Sequence, residues 1–155
     1  MPTLQQESST LGTSLMEHRI LGHVTQALRV TLNWKAPTVS MPRKLSSLKF
    51  TIKSFQRHLE RVISIEEEGG YLSEVAERKP FFQDRIDQLA GQHCRFRNRV
   101  RELVPELGTI NEWEDNRFYE VCDCISRLLD DIEMHDSAEI ELLQDTLLMD
   151  EGGEG

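Results

Sequence analysis

The sequence predicts an all-α protein, an up-down-up-down antiparallel four-helix bundle, on three observations. Apolar residues recur three and four apart in four long stretches, the period of a helix with one buried face. Proline and glycine fall between those stretches, at Pro37, Pro42, Gly69-Gly70 and Pro105. Charged residues make up 29% and aromatics 6%, a balance that suits helices better than sheets. At 155 residues the chain forms one domain with a genuine core. The expected division is a disordered N-terminal tail over 1–12, the bundle over 13–150 and a C-terminal tail over 151–155.

The first helix is expected from Ser14 to about Asn33, with Leu11, Leu15, His18, Leu21, Leu28 and Leu32 tracing one stripe. Pro37 and Pro42 then break the chain. A second helix runs from about Lys44 to Glu68, turning Leu48, Ile52, Phe55, His58, Val62 and Ile65 inward, and Gly69-Gly70 stops it. Pro80 suits the first turn of a third helix, which ends near Val104 before Pro105. Its stripe is Phe82, Ile86, Leu89, His93, Phe96, Val100 and Leu103. Thr109 with Glu112 forms a candidate capping box for the last helix, and Asn111 is a rival cap. That helix extends toward Met149, long enough to admit a bend near residues 113–118. Short connections make sequential helices neighbours.

Charge and composition narrow the function classes. A net charge of -9 argues against a phosphate-binding surface, so no nucleic-acid partner is expected despite the local run Arg95, Arg97, Arg99 and Arg101. No apolar run reaches the ~18 residues of a membrane span. The first residues lack the basic flank and apolar core of a secretory signal. Three cysteines make no complete disulfide set and point to a reducing, cytoplasmic setting. Cys122 and Cys124, two apart, face different sides of a helix and read as buried small residues. No nucleotide-binding glycine loop, zinc-protease motif or nucleophile with a placed base is present. A ferritin-type oxidase needs glutamates three residues before its histidines, where this chain has Leu15, Phe55, Ala90 and Ile132.

Chemistry concentrates on the apolar stripes. His135 and Glu139, four apart, share the greasy face of the last helix with Val121, Ile125, Leu128, Ile132 and Leu142. A base and an acid on a packing face must be neutralised there, by a hydrogen bond between them or by a metal ion that both can ligate. Each of the other helices carries one histidine in its stripe: His18, His58 and His93. Counted along the helices at ~1.5 Å per residue, the first three lie at similar depth. The fourth fits if its helix overhangs. Four imidazoles in one core each need a partner, and a bound cation supplies one to all. His23 lies about 140° around the first helix from His18 and is read as an ordinary histidine.

Glu17-His18, Phe55-Gln56-Arg57-His58 with the later glutamate run, Gln92-His93, and His135 with Glu139 resemble, in order and spacing, the hemerythrin-like cation-binding domains. The resemblance covers about residues 14–150. It implies a four-helix bundle holding non-haem iron, mononuclear or dinuclear, with His18, His58, His93, His135 and Glu139 as ligands. The match is closer to the four-histidine iron-sulfur-repair type than to the oxygen carriers, because Arg97 stands where the carriers have a further histidine. It also departs from the family, which has a bridging carboxylate where this chain has Val62. Glu66 lies two turns past His58, about 12 Å along the axis, too far to replace that acid without distortion. Arg97, if turned inward, could fill the space of a lost ion and pair with Glu139.

The implied function is reversible binding or sensing of oxygen, nitric oxide or iron rather than turnover, with the metal ion and a diatomic gas as partners. Zinc would suit the imidazoles equally. The alternative is a metal-free degenerate bundle serving as an interaction or regulatory module, which Val62 and Arg97 favour.

Overall fold

The computed structural model describes residues 4–35, 38–68 and 71–152, and side chains within 16–149 other than Tyr71. It is an all-helical four-helix bundle. The long helices are α1 (Leu4–Leu32), α2 (Met41–Glu67), α4 (Gln83–Thr109) and α5 (Asp115–Gly152), with a short α3 (Tyr71–Arg78) and a 3-10 turn (Pro80–Phe82) between α2 and α4.

Several boundaries differ from expectation, each for a local reason. Helix α1 starts at Leu4, so most of the tail expected over 1–12 is helical. Leu4, Gln5, Gln6 and Glu7 are good helix formers, and Gly12 alone costs only about 1 kcal/mol. Helix α2 starts at Met41 because Ser40, in extended backbone, accepts a hydrogen bond from the Arg43 N–H at 3.4 Å. Pro42 then sits in the first turn, where no N–H is needed. The expected Gly69-Gly70 stop lies outside the described residues; α2 closes with the Glu68 N–H on the Ser64 carbonyl at 3.0 Å.

Pro105 does not end α4, which continues to Thr109. The proline removes one backbone bond, while Leu103, Leu107 and Ile110 are all buried and hold the turn beyond it. Asn111, not Thr109, organises the start of α5. Its Oδ1 accepts from the Trp113 N–H at 3.1 Å, and Glu114 reaches back to accept from the Asn111 N–H at 3.3 Å. The Thr109 hydroxyl instead donates to the Glu106 carbonyl. Helix α5 is continuous for 38 residues, about 57 Å, with no separate segment near 113–118.

Side-chain contacts fix how the long helices pair. From His18 toward Leu32 on α1, the partners on α2 go back from Glu66 to Lys44, whose Nζ donates to the Leu32 and Trp34 carbonyls. Along α4, Arg85, His93 and Arg99 meet Asp145, Glu139 and Asp131 of α5 in descending order. Arg29 of α1 bridges Asp130 and Glu133 of α5.

The apolar interior falls into two parts. The larger joins all four long helices, from Leu28, Leu48, Ile52 and Phe55 to Phe96, Val100, Ile125, Leu128 and Leu129. The smaller, Leu72, Val75, Phe82, Ile86, Leu89 and Leu142, sits where α3 covers α4 and α5. Between the two, at His93 and His135, the interior turns polar.

Candidate metal centre

That polar layer is built from one or two side chains of each long helix. His93 of α4 and His135 and Glu139 of α5 continue the same stripes that carry Leu89, Phe96, Ile132 and Leu142. Helical spacing therefore brings them inside whether or not their polarity suits the site. Glu66 enters from the last turns of α2. One ligand atom from each of Glu66, His93, His135 and Glu139 lies within 4.8 Å of every other.

Three of these atoms form a tight triangle. His93 Nε2 is 3.0 Å from His135 Nε2 and 3.4 Å from Glu139 Oε1, and His135 Nε2 is 2.8 Å from the same oxygen. Ligands about 2.1 Å from one ion and adjacent around it stand ~3 Å apart, so the triangle has the edge of one face of a coordination shell. His135 Nδ1 is 2.5 Å from Gln92 Oε1, which places that ring's proton on Nδ1 and leaves Nε2 bare toward the cluster. A bare ring nitrogen facing a carboxylate oxygen needs a proton or a cation between them.

Glu66 closes the group. Its Oε1 lies 2.9 Å from His18 Nε2 and its Oε2 lies 2.8 Å from His93 Nε2. The second contact lacks hydrogen-bond alignment, so Oε2 is buried and unsatisfied. An orphaned carboxylate oxygen beside two ring nitrogens fits a hard or borderline cation.

Neighbouring charges shift protonation across the cluster. Burial disfavours charge on His93, but the adjoining Glu139 and Glu66 carboxylates outweigh it and lift the ring to about 9. Burial likewise raises Glu139, yet His135 and His93 overcome that and hold it at about 2. The bond to Glu66 raises His18. Asp136 is pushed up to about 6, first by burial and then by the charge of Glu139.

Of the five sequence-predicted ligands, His93, His135 and Glu139 come together, and His18 reaches the group through Glu66. His58 does not join it. Its Nδ1 lies 3.7 Å from Glu17 Oε2, neither atom having a hydrogen-bond partner among the described residues. Glu66, set aside in the sequence reading on axial distance, is in the cluster. Arg97 stays out: its guanidinium bonds Glu60 at 2.9 Å and Glu67 at 3.0 Å. Val62 is buried within the larger apolar cluster. His23 is exposed, as is Cys124, contrary to the buried reading, while Cys122 is buried.

The chain matches no family model, no curated protein and no solved structure. Among the described residues, no helix is long and apolar enough to cross a membrane. The buried histidine and glutamate group could hold a metal ion, and its geometry carries the functional reading.

Proposed function

We propose that this chain is a cytoplasmic non-haem iron protein of hemerythrin-like design that binds or senses oxygen, nitric oxide or iron. The helix pairings are read as an up-down-up-down antiparallel ring with the site across its middle. The supporting observation is the triangle of His93 Nε2, His135 Nε2 and Glu139 Oε1, with edges of 2.8 to 3.4 Å. Two imidazoles and one carboxylate on one face, other positions open, is the donor pattern of mononuclear non-haem iron.

We place a single ion on these three ligands, with Glu66 as a fourth and His18 positioning Glu66. Gln92 fixes the His135 tautomer, the usual task of a group behind a metal-bound histidine. The ion would supply a Lewis-acidic centre able to take a small diatomic ligand. The protein's own part is to limit water at the ligands, through Phe96 edge-on against His135 and the buried Leu142 one turn past Glu139. Zinc fits the same donors, and the metal separates the two.

The test is metal analysis of purified protein together with its absorption spectrum after anaerobic iron loading. About one equivalent of iron, abolished by His93→Ala and Glu139→Ala, is expected. A protein that stays metal-free after loading overturns the reading. A second reading, a metal-free interaction or regulatory bundle, is favoured by one observation: His93 Nε2 lies 2.8 Å from Glu66 Oε2 and 3.4 Å from Glu139 Oε1, close enough for a proton there to offset part of their charge without a metal.

A further inference from the structure

A cavity of about 170 Å³ lies between α1 and α5, beside the buried cluster and distinct from it. His18, Gly22, Thr25 and Gln26 line it from α1, and Glu133 and Asp136 from α5. Its volume holds about five waters. His18 belongs to both places, since its ring walls the cavity while its Nε2 touches Glu66.

We propose that this cavity is the passage through which a divalent cation, carrying part of its hydration shell, reaches the Glu66–His93–His135–Glu139 cluster. The inference rests on the metal-binding reading of that cluster and adds its route of exchange. Three features support the route. The lining sets the polar side chains of His18, Thr25, Gln26, Glu133 and Asp136 among the apolar Leu21 and Ile132, so oxygen and nitrogen atoms able to replace water around a moving ion recur along it. An acid stands between the cavity and the cluster: half-buried Asp136 lines the cavity within electrostatic reach of Glu139 and Glu66 as well as of His135 and His18, whereas Glu133 is already paired with Arg29 at 2.9 Å. On α4 and α5, by contrast, the turns next to the ligands carry the buried apolar side chains Leu89, Phe96 and Leu142.

Gly22 is an exposed position in the lining where bulk can be added. A Cβ built there meets no atom within 4 Å, so a side chain at this position projects into free space without disturbing the packing. Replacing a glycine inside a helix also favours the helix. Gly22→Leu should therefore narrow the passage and leave the ligands untouched.

The experiment mixes metal-free protein with cobalt(II) in a stopped-flow instrument and follows ligand-field absorbance, with a separate equilibrium titration and chelator-driven release. For Gly22→Leu, uptake and release should both slow about tenfold or more, with affinity within about twofold of the parent protein. Gly22→Ala should stay near the parent rates. Unchanged rates in Gly22→Leu with intact binding overturn the passage alone. Loss of affinity with an unchanged release rate overturns it too, as a disturbance of the site. If the parent protein binds no cobalt(II) or iron(II), the metal reading falls and the passage with it.

Discussion

His93 Nε2 and His135 Nε2 stand 3.0 Å apart across the α4–α5 interface, both within 3.4 Å of Glu139 Oε1. Two ring nitrogens so close cannot both carry a proton toward each other, nor both be bare beside a carboxylate. One proton or one cation must sit among the three atoms.

Without metal, the layer should make stability depend on pH. His93 has a raised value, so its contribution is complete below the unfolded value of 6.5 and is lost as pH rises through about 9. Glu139 has a depressed value, so its contribution is present above 4.5 and is lost as pH falls through about 2. Asp136 is raised, so its contribution fades between 3.8 and about 6. The metal-free urea midpoint should therefore be lower at pH 9.5 than at pH 6. A His93→Gln protein should lose most of that difference.

Metal should compete with the same proton. Binding a cation at His93 Nε2 releases the proton held there up to about pH 9. Apparent affinity should rise about tenfold per pH unit from 7 toward 9 and then level off. Isothermal titration in buffers of different ionisation enthalpy would count the released proton, and a pH-independent affinity would contradict this account.

Gln92 and His58 provide a contrast. Gln92→Leu leaves the His135 ring without its partner at Nδ1 and should weaken metal binding by about 10–100-fold. His58→Ala, removed from the cluster, should leave metal content unchanged, although the resemblance that pointed to iron counts His58 as a ligand. Metal content of the two purified variants decides whether the site is centred on Glu66 or on His58.

Stability, by contrast, resides in the larger apolar cluster. Leu128 is fully buried in it. Leu128→Ala should destabilise the fold by about 2–5 kcal/mol through lost burial and the cavity left behind. Denaturant unfolding measures the change directly, and the metal-binding geometry should survive it.

The four long helices were legible because the stripe residues, Leu48, Ile52 and Phe55 or Ile125, Leu128 and Ile132, repeat without interruption. His93, His135 and Glu139 were legible for the same reason, since their positions on those stripes turn them inward whatever their polarity. Glu66 was missed because depth was counted between α-carbons. Side chains on a helix tilt toward its N-terminus. Given the pairing of α1 with α2, His18 and Glu66 lean toward each other, whereas His58 leans away. The tilt shortens one gap and opens the other by several ångströms. Helix α3 has only 8 residues, two turns between a glycine pair and Pro80, too few for periodicity to register.

The histidine and glutamate layer that separates the large apolar cluster from the small one also divides the molecule mechanically. Dispersion and burial bind each side to itself, while the layer adheres mainly through charge. The end formed by α3, the start of α4 and the last turns of α5 can thus loosen while the opposite half stays closed. Amide hydrogens around Leu142 should exchange with solvent ahead of those around Ile125 and Leu128, and a bound cation would stitch the two rates together.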